Sequence, residues 1–170
     1  MADHLEELLE SLLWEGYALY PYTPGATKNA TPTPFGIVYP PVYAATLQST
    51  FDHLELRCVV GAPADAVLSA EVRFLAASGE RHQAAAHRVG LPGAMVGALA
   101  GRAARKEVSV GGLTVGMALE ALPQLRENEY EVVLRVENLT LVSSGLDRAG
   151  ALRRSLISTH PVLRVAGGRF

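Results

Sequence analysis

The residues that could carry chemistry are few and lie far apart along the chain. The only cysteine, Cys58, falls on the apolar side of a predicted strand, so we interpret it as a buried packing thiol rather than a nucleophile. His82 and His87 are five residues apart, which is the wrong offset for two metal ligands on one helix face. The sequence also lacks the G-x-S-x-G elbow of serine hydrolases and the G-x-x-x-x-G-K-[ST] phosphate loop. We therefore predict no catalytic residue, no metal ligand and no cofactor.

Composition and charge narrow the class of protein further. The chain has 170 residues, of which 49% are hydrophobic and 19% charged, close to the averages for one globular domain. A formal net charge of −2 and the lack of a basic run argue against nucleic-acid binding. The N-terminus lacks the basic region of a signal peptide, and no apolar run approaches the ~20 residues of a membrane span. We expect a cytoplasmic protein that binds neither nucleic acid nor membrane.

The most unusual stretch is rich in tyrosine and proline and reads YALYPYTPGATKNATPTPFGIVYPPVY from residue 17 to residue 43. It holds five of the 6 tyrosines and six of the 10 prolines. Proline fixes its own φ and disfavours helix at the residue before it, so we predict an extended arm over residues 21–50 with a short strand at 35–39. The amphipathic tyrosine rings suit a segment that lies along a surface, either its own domain's or a partner's.

The leucine spacing before this arm predicts an amphipathic helix over residues 1–20, with Asp3 as its N-cap. Its apolar stripe comprises Leu5, Leu8, Leu9, Leu12, Leu13 and Gly16. Trp14 projects from the opposite side, beside acidic residues. We expect such a tryptophan to be covered either by the chain's own arm or by a partner protein.

After residue 51 the hydrophobic period becomes that of β-strands. Alternation predicts strands over 53–60 and 67–75, and the short loop between them favours an antiparallel hairpin. A later strand, 129–141, is predicted to contain a bulge near Asn138. Two more strands are predicted around 108–119, separated by a glycine pair, and a last one at 162–165.

Helices are sparse in this half of the chain. The segment 93–105 is predicted to form a short helix in which spaced glycines allow close backbone approach, and 146–158 a second amphipathic helix. The fold class is thus α+β and β-rich: one domain over 1–170, with an antiparallel β-sandwich-like core at 51–170. An N-terminal amphipathic helix, a Tyr/Pro-rich extended arm and a short C-terminal helix complete it.

Two pieces of the chain together carry a resemblance to a known family. One is LLWEGYALYPYTPGATKN (12–29) followed by FGIVYP (35–40); the other is ENLT (137–140) followed by ALRRSLISTHPVLRVAGGRF (151–170). In this order they resemble the N-terminal region of uncharacterised bacterial proteins, notably actinobacterial ones, encoded with nickel-iron hydrogenase gene clusters. The resemblance implies a hydrogenase accessory or maturation role and a chain that continues past residue 170. It supplies no functional residues.

We therefore expect a non-catalytic protein-interaction domain whose partner is a hydrogenase subunit or a maturation protein. The candidate contact residues are Trp14, Tyr17, Tyr20, Tyr22 and Tyr39. Two other classes stay open. A small-ligand-binding or enzymatic β-sandwich would place a pocket with convergent polar groups near Tyr39 or His53. A structural, self-assembling subunit would form a homo-oligomer through a large apolar self-interface.

Overall fold

Two antiparallel sheets pack face to face in the computed structural model, which describes residues 2–18, 35–79, 83–124 and 126–170. The strands are β1 (His53–Gly61), β2 (Val67–Ala77), β3 (Ala84–Met95), β4 (Ala104–Val110), β5 (Leu113–Pro123), β6 (Glu129–Asn138) and β7 (Ile157–Ala166). The helices are α1 (Ala2–Ala18), α2 (Pro41–Ala44), α3 (Val96–Gly101) and α4 (Arg148–Leu152). The predicted α+β, β-rich sandwich with a helix near each end is confirmed.

The strand order separates β1 from β2. One sheet runs β1-β6-β5-β4 and the other β3-β2-β7, with all neighbours antiparallel. The predicted strands at 53–60 and 67–75 are confirmed, but their predicted pairing as a hairpin is wrong. The loop at 62–66 instead carries the chain from an edge of the first sheet to the centre of the second. Burial of both apolar faces against each other outweighs the local preference for a short hairpin.

The core lies between the two sheets. The inward side chains of β2, such as Leu68, Val72 and Phe74, are fully buried, and so are Leu119 of β5 and Leu134 of β6. In each strand the outward neighbours are polar or charged at several positions. The alternation that predicted half-buried strands therefore reflects real inner and outer faces.

The glycine pair at 111 and 112 forms the turn between β4 and β5. Both residues have positive φ, 59° and 74°, and the strands pair from Val110 and Leu113 outward. Two successive positive φ angles define the hairpin turn whose twist matches the strands, and glycine adopts them without steric cost. The break that the sequence predicted at this point is confirmed as a tight hairpin.

Helix α3 confirms the short helix predicted after residue 93. A Cβ built on Gly97 would lie 3.0 Å from the Cβ of Ala64 and 3.1 Å from its carbonyl oxygen. The helix therefore approaches the β1–β2 connection closely, as the glycine spacing predicted. Strand β3, which runs directly into this helix, was not predicted from the sequence. Its alanines and glycines have a low strand propensity.

The second predicted helix is shorter than expected. Asp147 caps α4, accepting a hydrogen bond from the Gly150 N–H at 2.7 Å, but the helix ends at Leu152 rather than near 158. The end of the predicted range, residues 157 and 158, lies within β7. Pairing with β2 recruits residues 157–161 into the sheet, so tertiary context overrides the helical period here.

The described part of the arm is joined to the sandwich by Asn138. Its side-chain Nδ2 donates to the carbonyl oxygens of Val38 (3.0 Å) and Arg154 (2.8 Å), and its Oδ1 accepts from the N–H of Thr140 at 3.0 Å. Val38 also pairs with Leu156, so the predicted strand at 35–39 is only a single bridge. In place of the bulge predicted near Asn138, β6 ends there: the Asn138 N–H still donates to the Asp52 carbonyl oxygen, and the side chain accepts from the N–H of Thr140 beyond the strand end.

Replacing Asn138 by alanine should destabilise the domain by about 2–3 kcal/mol, because the Arg154 carbonyl oxygen and the Thr140 N–H lose their partner and the Val38 carbonyl oxygen keeps only the N–H of Leu156. Asn138→Asp is the matched variant: it keeps the acceptor for Thr140 but loses both donors. Chemical denaturation should rank the wild type above both variants. Stability unchanged by Asn138→Ala would show that the hydrogen bonds of this side chain do not stabilise the junction between the arm and the sandwich.

Candidate interaction surface

Helix α1 covers the outer face of the three-stranded sheet, the face that points away from the main core. Leu9 and Leu13 point toward the sheet and are 8% and 4% exposed. Leu13 packs with Leu75, on the outer side of β2, and with Ile157 at the start of β7. A second, smaller apolar cluster therefore holds the helix on the sheet.

Charged side chains form the other half of this contact. Glu71 and Arg73 stand on the outer face of β2, yet they are only 4% and 8% exposed because α1 covers them. Arg73 Nη2 lies 2.6 Å from Glu6 Oε2 and 2.8 Å from Glu71 Oε1. Arg164 bonds Glu6 at 3.0 Å and Glu71 at 3.3 Å, and Arg88 contacts Glu71 as well. We call these five residues the ion cluster.

The ion cluster shifts the pKa values of its carboxyl groups. Burial by itself would raise the pKa of Glu71, but the hydrogen bond from Arg73 and the charges of Arg164, Arg73 and Arg88 together hold it below its ordinary value. The pKa of Glu6 is lowered first by its hydrogen bond from Arg73. Both carboxyls are therefore ionised at neutral pH, two negative charges against three positive ones.

The remaining leucines of α1 face solvent. Leu5, Leu8 and Leu12 are 41%, 54% and 37% exposed, and their i, i+3, i+7 spacing places them on one flank of the helix. We call this row the leucine ridge. Trp14 is 39% exposed and, at about 100° per residue, lies on the opposite flank. The single apolar stripe expected from the sequence is thus divided into a buried row and an exposed row.

The predicted contact residues that the structure describes differ in their exposure to solvent. Tyr39 is 7% exposed and its ring centroid lies 5.1 Å from that of Tyr43, in a cluster with Ala151. Its ring packs inside the protein's own fold, so it is not available as a contact residue. The side chain of Tyr17, together with Tyr20 and Tyr22, lies outside the described residues. Trp14, which was expected to be covered by the arm or by a partner, is 39% exposed among the described residues.

The residues with catalytic potential do not converge. Burial raises the pKa of the Cys58 thiol, which disfavours the nucleophilic thiolate. His53 Nδ1 lies 2.7 Å from Asp52 Oδ1, and His160 Nδ1 lies 2.7 Å from the Ser158 carbonyl oxygen. Within the described ranges, no three His, Cys, Asp or Glu side chains come together as a metal site.

Two buried hydroxyls were not singled out by the sequence. Ser158 has a φ of 51°, and this kink lets its N–H and that of Thr159 donate to the carbonyl oxygens of Phe35 and Gly36. Ser158 Oγ and Thr159 Oγ1 find no hydrogen-bond partner among the described residues. Because Ser158 is 1% exposed, its hydroxyl is closed off from any substrate in this conformation.

The ion cluster was also missed from sequence. Glu71 and Arg73 alternate with apolar residues on β2, a pattern typical of a solvated outer face. The one available signal is Glu6, which at about 100° per residue projects next to Leu13 at the edge of the apolar stripe of α1. A carboxylate beside the buried row of a helix calls for a positive partner on the surface beneath it.

Comparison with known proteins adds no relative: no family model, curated protein or solved structure matches the chain. In the part of the chain that the structure describes, no helix is both long enough and apolar enough to cross a membrane.

Glu71→Gln should destabilise the domain by about 3 kcal/mol at pH 7, because Arg88 would lose its ion pair with Glu71 and Arg73 and Arg164 would share Glu6 alone. The exposed Glu107 on β4 provides the control: Glu107→Gln should change stability by less than ~0.5 kcal/mol. Urea denaturation of the three proteins measures the difference. Equal stability of Glu71→Gln and wild type would show that the cluster contributes nothing.

The difference in stability between wild type and Glu71→Gln should depend on pH. Since the folded pKa of Glu71 is lowered, the stability it contributes is present above the unfolded value of about 4.3 and is lost as the pH falls through the folded pKa. The gap between wild type and Glu71→Gln should therefore be constant near neutrality and narrow below about pH 4. A gap that widens on acidification would contradict the lowered pKa.

Proposed function

We propose that this chain is a non-catalytic protein-interaction domain that presents the leucine ridge of α1 to a protein partner. The observation that carries the proposal is the contiguous exposure of Leu5, Leu8 and Leu12 on a helix already fixed by its other side. Single exposed leucines are common on protein surfaces, but a row at i, i+3 and i+7 matches the anchors of a helix that binds in a groove.

The surroundings of the ridge define the partner's chemistry. Glu15 is exposed next to the ridge, and Glu7 and Glu10 are exposed on the Trp14 flank, so the solvent side of the helix beyond the apolar row is acidic. The complementary surface is an apolar groove with a basic rim. The ion cluster holds α1 in place before binding, which lowers the ordering cost that a free helix would incur.

The resemblance of the two chain ends supports a more specific partner. It begins at Leu12 and therefore includes the C-terminal end of the ridge. On that ground we propose that the domain acts in the cytoplasm as an accessory or maturation factor for a nickel-iron hydrogenase, and that the ridge binds a hydrogenase subunit or a maturation protein.

A second contact surface is distinguishable by experiment. Trp14 lies on the other flank of α1 and was predicted, with Tyr17, Tyr20 and Tyr22, to contact a partner. If binding uses the ridge, Leu8→Glu should abolish it and Trp14→Ala should leave it intact. If binding uses the aromatic side, Trp14→Ala should abolish binding and Leu8→Glu should leave it intact.

The test is an anaerobic affinity capture from the native host with full-length bait, quantified by mass spectrometry. We expect wild type and Trp14→Ala to recover hydrogenase subunits or maturation proteins above a control bait, and Leu8→Glu to lose them at least tenfold. Leu13→Ala is the stability control: it should lower the free energy of unfolding by about 2–4 kcal/mol, whereas Leu8→Glu should not. Equal recovery with Leu8→Glu and wild type would rule out the ridge.

A further inference from the structure

The side of β1 away from β6 is largely unpaired in the part of the chain that the structure describes. β1 pairs with β6 through all nine residues from His53 to Gly61 without a register shift. At its end, the N–H and C=O of Gly61 bond to Arg169 on the side away from β6. Because backbone groups alternate in direction along a strand, those of His53, Glu55, Arg57 and Val59 point to the same free side. Among the described residues, none of these four pairs with another backbone there.

The other sheet edges carry features that discourage pairing. β3 contains Pro92 and β7 contains Pro161, and proline cannot donate to a neighbouring strand. β4 carries Arg105, Lys106 and Glu107 in a row, and Lys106 Nζ donates to the Gly90 carbonyl oxygen of β3 at 2.9 Å. β1 has no proline and no charge on its core side. Its inward residues Leu54, Leu56 and Cys58 are only partly buried.

We infer that the free edge of β1 binds β1 of a second copy of this chain, antiparallel, to form one continuous eight-stranded sheet across a two-fold axis. The register with Leu56 opposite its own copy pairs each Glu55 with the second copy's Arg57. It also pairs His53 with the second copy's Val59, which is 54% exposed in one chain. All four of these positions have their backbone groups on the free side, so the edge gains about eight hydrogen bonds.

The inner side of the same register is apolar throughout. Leu56 meets its copy, and each Leu54 meets the second copy's Cys58. These partly buried side chains would be covered by the added strand, which extends the core across the junction. Charge pairs on the outer side and apolar pairs on the inner side make the edge complementary to itself, which a strand of unrelated sequence would match only by chance.

The ends of β1 are compatible with this register. The position opposite Gly61 is filled by Arg169, so the second copy's chain must leave the sheet before residue 52. The chain does turn away there, because the Phe51 carbonyl oxygen accepts a hydrogen bond from the Tyr39 N–H within its own fold. The paired stretch is thus limited to residues 53–59 in both copies.

Val59→Pro tests the edge without disturbing the fold. The N–H of Val59 points to the free side, so proline removes a donor from the dimer contact but none from the β1–β6 ladder. Sedimentation velocity over a concentration series should show dimers for wild type and for Val59→Thr, which keeps the N–H. Val59→Pro should self-associate at least about tenfold more weakly with an unchanged melting temperature. A wild type that stays monomeric up to its solubility limit would overturn the inference.

Charge reversal tests the register independently. In a homodimer of Glu55→Arg, both pairs between positions 55 and 57 would bring two positive charges together, and in a homodimer of Arg57→Glu they would bring two negative charges together. Each variant should therefore be monomeric. An equimolar mixture of the two variants restores opposite charges at both pairs, and should form the heterodimer. Circular dichroism of each variant checks that it is folded. Folded single variants whose mixture does not associate would overturn the Glu55–Arg57 pairing.

A cross-link provides a second check of the register. In a Cys58→Ser background, Leu56→Cys places two cysteines directly opposite at a non-hydrogen-bonded pair, close enough for a disulfide. Mild oxidation should trap a covalent dimer for Leu56→Cys and not for Leu54→Cys. Efficient trapping at position 54 instead would show that another register is used. Association that depends on the leucine ridge rather than on β1 would remove the inference but leave the proposed function standing.

Discussion

The burial of Glu71 and Arg73 on the outside of β2 is the constraint that positions α1. Charges removed from water are costly unless they are paired, and on this face the missing negative charge comes from Glu6 of the helix. Once Glu6 is held by Arg73 and Arg164, the rotation of α1 about its axis is fixed. The row containing Leu9 then faces the sheet, and the row containing Leu8 faces solvent. The exposed leucine ridge is a geometric consequence of the ion cluster.

The position of β1 follows from a different constraint. The chain crosses from one sheet to the other between Gly61 and Val67, so among the described strands β1 has β6 alone beside it. The C-terminal segment returns from β7 to pair at Gly61, but it covers only that end of the strand. The rest of the edge keeps its hydrogen-bonding groups unpaired within the described chain. This connectivity places β1 at a sheet edge, and β1 lacks the prolines of β3 and β7 and the row of charges of β4.

Much of the fold could be predicted from sequence where one face of an element is apolar. The alternation in β1 and β2, the paired glycines at 111 and 112, and the leucine spacing of α1 each reflect a local physical rule. The pairing of β1 with β6 could not be predicted, because the local pattern around GAPAD is equally consistent with a hairpin. The predicted helix extended to residue 158, but Leu156 pairs with Val38 and the residues from Ile157 onward pair with β2.

The candidate surface was less predictable than the fold. Sequence identified Trp14 as exposed, but it treated Leu5 and Leu9 as one stripe, because periodicity alone cannot say how much of a stripe a neighbour covers. Tyr39 was expected on a surface, and its packing on Tyr43 depends on contacts between segments far apart in the chain, such as the bond from Asn138 to Val38, 100 residues away. The ion cluster likewise joins four separate elements. The one sequence signal for the ion cluster is the carboxylate of Glu6 beside the apolar row of α1.

The two proposed surfaces belong to different sheets, and this separation has a functional consequence. The leucine ridge lies on the outer face of the β3-β2-β7 sheet, whereas β1 is an edge of the other sheet. A second copy joined at β1 would extend the β1-β6-β5-β4 sheet without covering α1 of either chain. The dimer would present two ridges related by its two-fold axis. A partner with two copies of the matching groove would then bind the dimer more tightly than two separate domains, since the second contact becomes intramolecular.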